Sequence, residues 1–85
     1  MFVILGAYVK GNIVKAYEIQ NLETGASTTA IPATVHQLAI KHKILNVMAR
    51  KINGKIYMMG TNGFDLKKMP TKQVSSDFMK NRSIR

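Results

Sequence analysis

A hairpin signal at the start of the chain constrains its fold more than any other feature. Two runs of β-forming residues, Phe2 to Val9 and Ile13 to Gln20, are separated by only Lys10-Gly11-Asn12. Glycine and asparagine accept the positive φ that a tight turn requires, so this spacing predicts an antiparallel hairpin. The first run is apolar on both of its faces, which indicates a strand that is central in its sheet or covered on both sides.

A second hairpin is predicted around Asn53-Gly54, the strongest short turn signal in the sequence. Strand-like residues precede it from Ile44 to Ile52 and follow it from Lys55 to Met59. A two-residue loop predicts three cross-strand pairs: Ile52 with Lys55, Lys51 with Ile56, and Arg50 with Tyr57. Strand alternation then predicts two faces, one with Met48, Arg50 and Ile52 and the other with Val47, Ala49 and Lys51.

A helix is predicted between the two hairpins, from about Ala33 to His42. Thr34 and Gln37 fit the S/T-x-x-E/Q capping box, in which each side chain bonds the other residue's free N–H. The i, i+3, i+4, i+7 spacing predicts the face that packs on the sheet, with His42 at its rim. The buried residues of that face are expected to be Val35, Leu38 and Ala39.

The order of elements predicts an α+β protein, β-β-(β)-α-β-β, with one antiparallel sheet of four to five strands and one helix packed on one face. The bracketed third strand is a weaker signal at Ala26 to Ile31, after a turn in which Gly25 takes positive φ. Eighty-five residues allow one domain, which we place at residues 1–70. Residues 71–85 are predicted to form either a short C-terminal helix capped by Thr71 or a basic tail.

Residues for catalysis or for binding a metal or cofactor are not grouped in this sequence. It has no cysteine, and its four acidic residues share no motif. His36 and His42 would lie about 240° apart around the predicted helix, so they cannot hold one metal together. Gly60-x-x-Gly63 lacks the Lys-Ser/Thr of a phosphate-binding loop. We therefore expect a binding protein without a cofactor rather than an enzyme.

The charge of the chain points to an anionic partner. Its formal net charge is +9, and no acidic residue occurs between Glu23 and Asp65. Such a balance favours encounter with polyanions, so we expect DNA or RNA, bound mainly through its backbone. The expected contact residues are Arg50, Lys51, Lys55 and Tyr57 in the second hairpin, and Lys67, Lys68, Lys72, Lys80, Arg82 and Arg85 in the C-terminal segment.

Two alternatives remain open at this stage. Ten of the thirteen basic residues are lysine, which is also an ordinary solubilising residue on edge strands. The chain is alternatively a protein-binding or inhibitory module that pairs through a sheet edge, at the first strand or the Met58-Met59 strand, with an acidic partner or as a homodimer. The apolar run Met1 to Val9 is too short to span a membrane and lacks the basic start of a secretory signal, so we expect a cytoplasmic protein.

The order of these motifs resembles small uncharacterised α+β proteins of bacterial phages, plasmids and other mobile elements. The resemblance covers about residues 2–70 and rests on the hairpin Val3 to Ile19, the Thr24-Gly25 turn, the capped helix, and the segment from Asn53 to Gly63. It implies an accessory role in DNA maintenance, transfer, regulation or interference with host defence. It implies no particular catalytic or binding residues.

Overall fold

The fold is α+β, as predicted, and a computed structural model describes it for residues 1–78. A four-stranded sheet has the order β3-β2-β1-β6, and a separate two-stranded sheet contains β4 and β5. The elements in chain order are β1 (Phe2–Lys10), β2 (Ile13–Asn21), β3 (Ser27–Ala30), α1 (Pro32–Ile40), β4 (Val47–Ile52), β5 (Lys55–Gly60), a 3-10 turn (Leu66–Lys68) and β6 (Thr71–Gln73). No helix within residues 1–78 has the length and apolarity needed to cross a membrane.

The first hairpin forms as predicted, and its strand β1 is central in the larger sheet. β1 pairs antiparallel with β2, and Gly11 in the connecting turn has a φ of 60°. β2 in turn pairs antiparallel with β3. Gly25 lies between these two strands with a φ of 79°, in the left-handed region that favours glycine.

The second hairpin is not part of the larger sheet, because two other segments of the chain occupy the free edge of β1. Ile44 forms a parallel bridge with Phe2, and the side-chain amide of Asn46 then bonds both the N–H and the C=O of Ile4, each at 3.0 Å. Beyond a bulge between Ile4 and Gly6, the same edge pairs in parallel with β6. The predicted single sheet is therefore split, with β4 and β5 in a second sheet.

The core lies between the helix and one side of both sheets. Val35 and Ala39 of α1 are fully buried against residues of β1, β2 and β4, including Ile4, Ile19 and Val47. Phe64, Leu66 and Met69 pack against the same cluster from the segment that follows β5. Leu38, predicted to be buried, is partly buried at the margin of this core.

The predicted capping box of the helix is wrong. The N-cap is Ile31, and no side chain bonds the free N–H groups there. Pro32 occupies the first helical position, where its fixed φ suits a helix and its missing N–H costs nothing. This places Thr34 inside the first turn, too late in the helix to cap it.

The helix also ends earlier than predicted, in a Schellman motif. His42 takes a φ of 58°, its N–H donates to the Ala39 carbonyl at 3.1 Å, and the Lys43 N–H donates to the Leu38 carbonyl at 2.9 Å. Both bonds are the ones that close such a helix end, with His42 in the position that glycine usually takes.

A strand replaces the short C-terminal helix predicted after Pro70. Thr71–Gln73 form β6 because the edge of β1 at Ala7–Val9 is otherwise unpaired beyond the bulge. The Val74 N–H donates to the Val9 carbonyl at 2.8 Å, which continues this pairing. The predicted basic tail falls largely on residues 79–85, which lie outside the described residues.

Candidate nucleic-acid interface

The second hairpin has the predicted register. Arg50 pairs with Tyr57, Lys51 with Ile56, and Ile52 with Lys55. Asn53 and Gly54 form the turn with φ values of 50° and 80°, as a two-residue hairpin loop requires. Because residues opposite each other in a sheet point to the same face, this register decides which side chains act together.

One face of the hairpin packs on the core and the other is open. Val47 and Ala49 are buried against the helix side of the molecule. The alternate residues point away from the core and form three cross-strand pairs, which we name the outer hairpin face: Met48 with Met59, Arg50 with Tyr57, and Ile52 with Lys55. On this face Tyr57 is 50% exposed, Ile52 47% and Met59 42%.

The cations of the outer hairpin face are not neutralised by nearby acids. Within residues 1–78 the sole ion pair joins the N-terminal amino group to Glu23 at 3.9 Å. Arg50 and Lys55 are both exposed. Their charges therefore remain available to an external anion, at the two sides of an exposed aromatic ring.

Lys51 lies on the opposite side of the hairpin from Arg50. Lys51 lies two residues after the buried Ala49 and pairs with Ile56, so its side chain is on the inner face of the hairpin, at the exposed end beyond the core. The basic cluster predicted at the hairpin tip is thus divided between two faces. Arg50, Lys55 and Tyr57 share one face, and Lys51 does not belong to it.

Lys67 and Lys68 lie outside the second hairpin, in the 3-10 turn. Gly60, the last residue of β5, touches the main chain of Phe64 so closely that a Cβ on Gly60 would meet the Phe64 carbonyl oxygen at 1.8 Å. This contact holds the segment before the turn against the base of the hairpin. The base is about 17 Å along β5 from Lys55 at the tip, so the segment that leads to these lysines starts at the opposite end of the hairpin from Lys55.

Lys72 lies on β6, at a shallow cleft of about 300 Å³ in the larger sheet. It pairs with Tyr8 and so shares its face, which is the side of the sheet away from the helix. The Tyr8 hydroxyl donates to Glu18 at 2.9 Å, and its ring lies 5.0 Å from the ring of Phe78. Lys72 is therefore a separate basic position beside an acidic side chain. The remaining predicted residues, Lys80, Arg82 and Arg85, lie outside the described residues.

Sequence reasoning underestimated the apolar part of the outer hairpin face. Strand alternation placed Ile52 on the face of Arg50, and the structure adds that Ile52 and Met59 are both exposed there, beside Arg50 and Tyr57. The signal that finds them is strand alternation combined with the Asn53-Gly54 register. Met58, the neighbour of Met59, points inward and packs on the core cluster.

Two titratable groups away from this face have shifted pKa values. A hydrogen bond from the Ser75 hydroxyl lowers the pKa of Asp77. Burial raises the pKa of Tyr17, because the charged phenolate is poorly solvated in the core. Neither group is on the outer hairpin face, and the structure groups no three His, Cys, Asp or Glu side chains of residues 1–78 into a metal site.

Comparisons of this chain with protein-family models, with curated protein sequences and with solved structures give no significant match. The function is therefore inferred from the charge, exposure and geometry of the described residues.

Proposed function

We propose that this protein binds nucleic acid, mainly through backbone contacts made by the second hairpin and the basic C-terminal segment. One observation carries the proposal. Arg50 and Lys55 lie exposed beside the half-exposed ring of Tyr57, with no carboxylate within ion-pair distance among the described residues.

The physical basis is the release of counterions from the nucleic acid. Each lysine or arginine that neutralises a phosphate frees a condensed cation, and this favours binding most strongly at low salt. The chain has a net charge of +9 and a single weak ion pair in its described part, so most of its described basic side chains are available to neutralise phosphates. The resemblance to proteins of mobile elements agrees with an accessory role on DNA inside the cell.

A protein partner is the second candidate function, and an unpaired strand edge favours it. β5 has β4 as its one strand partner within residues 1–78, so its other edge is open to strand addition. β1, the other expected edge, is hydrogen-bonded on both sides by β2 and β6 and does not offer one. An acidic partner, or a second copy of the chain, would bind β5 through main-chain hydrogen bonds and with little dependence on salt.

Fluorescence anisotropy separates these functions. The purified protein is titrated into labelled duplex DNA, single-stranded DNA and RNA at low and at near-physiological salt. We expect binding that persists at near-physiological salt. Binding that never appears, or that vanishes as salt rises, would overturn the proposal and favour the protein partner.

A charge-matched pair of variants tests the location of the interface. Arg50→Gln with Lys55→Gln removes two charges from the outer hairpin face, whereas Lys41→Gln with Lys43→Gln removes two exposed charges after the helix. The first variant should reduce the slope of log affinity against log salt by about 1.4 for a single strand or 1.8 for a duplex. The second should leave it nearly unchanged. Equal losses in both variants would show that the charge acts without a defined site.

A further inference from the structure

We infer that the outer hairpin face binds unpaired nucleotides, by stacking a base on Tyr57 while Arg50 and Lys55 contact the adjoining phosphates. This inference rests on the proposed function and names its substrate class as single-stranded nucleic acid.

The apolar surface of the face is the first argument. Tyr57, Ile52 and Met59 are each more than two-fifths exposed, and they lie among the cations rather than in a separate patch. A surface that contacts only phosphates gains nothing from exposed aromatic and aliphatic groups. Bases have apolar faces that stack on such groups, and in a single strand those faces are accessible.

The dimensions of the face give the second argument. Side chains on one face of a strand recur about every 6.6 Å, so Met48 to Ile52 extends about 13 Å along β4. That length accommodates about two or three bases, as on other sheets that bind single strands. Tyr57 occupies the middle of the face, with Arg50 across from it and Lys55 next on its own strand.

The availability of the Tyr57 ring is the third argument. Within the described residues the aromatic contact is between Tyr8 and Phe78, and Tyr57 is in no ring pair. Its ring is half exposed on a hairpin whose inner face is anchored by Val47 and Ala49. The protein therefore presents the ring on a supported surface, and little order has to be gained on binding.

Duplex DNA fits this face less well. A two-stranded ribbon can enter the major groove, but it reads base edges through hydrogen-bonding side chains such as asparagine, glutamine and arginine. The outer hairpin face has Arg50, Lys55 and the Tyr57 hydroxyl for this purpose, and its other three side chains are aliphatic or thioether groups. Its chemistry suits the faces of bases better than their edges.

Two substitutions of one residue test the stacking contact. Tyr57→Ala should weaken binding to a short thymidine oligonucleotide by at least about fivefold, whereas Tyr57→Phe should retain nearly all of it. Neither change should weaken duplex binding, because phosphate contacts do not need the ring. Circular dichroism confirms that both variants remain folded. Equal single-strand affinity in Tyr57→Ala and the parent would overturn the inference.

An abasic oligonucleotide of the same length separates this inference from the proposed function. It keeps the phosphates and lacks the bases, so we expect it to bind at least about fivefold more weakly than the thymidine strand. Equal binding of the two strands would overturn base stacking and leave the proposed backbone binding intact. Failure of both strands and of the duplex to bind would overturn the proposed function itself.

Discussion

Replacing Asn46 with alanine should destabilise the protein strongly, because its side chain bonds the main chain of a distant strand. The Asn46 amide accepts from the Ile4 N–H and donates to the Ile4 carbonyl, each at 3.0 Å. It takes the place of a neighbouring strand at the point where the chain leaves the edge of β1 and enters β4. Alanine cannot replace either bond.

The expected cost follows from the burial of Ile4, which is 2% exposed. A buried main-chain group without a partner costs about 1–3 kcal/mol, and Asn46→Ala leaves two such groups. Because water can enter part of the space that the amide vacates, we expect a loss of about 2–4 kcal/mol. A domain of this length has a total free energy of unfolding of about 4–13 kcal/mol, so the loss is a large share.

Urea unfolding followed by circular dichroism measures this loss. Thr34→Ala is the matched control, because Thr34 is exposed in the first turn of the helix and makes no cap hydrogen bond. It should change the free energy of unfolding by less than about 0.5 kcal/mol. An equally small change in Asn46→Ala would refute the reasoning, and would show that main-chain pairing at Phe2 and Ile44 holds the junction alone.

Three further predictions concern single positions. His42→Gly should raise the free energy of unfolding by up to about 1 kcal/mol in urea titrations, because His42 holds a φ of 58° that glycine adopts without strain. Gly60→Ala should lower it by at least about 2 kcal/mol in the same assay, because the new Cβ would lie 1.8 Å from the Phe64 carbonyl oxygen; a smaller loss would mean that this segment shifts freely. The parent should lose stability above pH 10, because burial raises the pKa of Tyr17 in the folded state above its unfolded value of 10.0. Tyr17→Phe should reduce that loss, because phenylalanine does not titrate. The check is urea unfolding on both sides of that pH, and identical pH slopes in variant and parent would contradict it.

Both hairpins could be predicted from the sequence because their signals are local. Gly11 and the Asn53-Gly54 pair supply the positive φ values that each turn needs. The two-residue loop then sets the register of the second hairpin by geometry alone, and Arg50 and Tyr57 lie opposite each other as predicted. Local turn chemistry is therefore enough to specify such elements.

The division into two sheets could not be predicted, because it depends on contacts between distant residues. Asn46 and Ile4 are 42 positions apart, and nothing around Asn46 marks its amide as a substitute for a strand. The bulge after Ile4 then exposes a second part of the same edge, which β6 covers. The helix cap failed for a different reason: Pro32 and Thr34 are both local start signals, and the proline prevailed because its fixed φ began the helix earlier.

The sequence predicted which side chains of the second hairpin share a face, but not how far each of them is exposed. Charge located the second hairpin, but it grouped Lys51 with Arg50 although adjacent residues of a strand point to opposite faces. The structure confirms the alternation that places Ile52 with Arg50 and Lys51 on the other face, and it adds that Met59 shares the face of Arg50 and that Ile52 and Met59 are both exposed. The outer hairpin face therefore differs from an ordinary lysine-rich surface because exposed apolar side chains lie among its unpaired cations.

That distinction determines which measurement is informative. A surface of cations alone loses affinity steeply with salt, and does so for every polyanion. Stacking on Tyr57 is not a charge interaction, so its contribution should remain when salt has screened Arg50 and Lys55. The preference for a thymidine strand over its abasic counterpart should consequently persist as salt rises while both affinities fall. A preference that disappears at near-physiological salt would instead mean that the bases contribute through charge interactions and not through stacking on the ring.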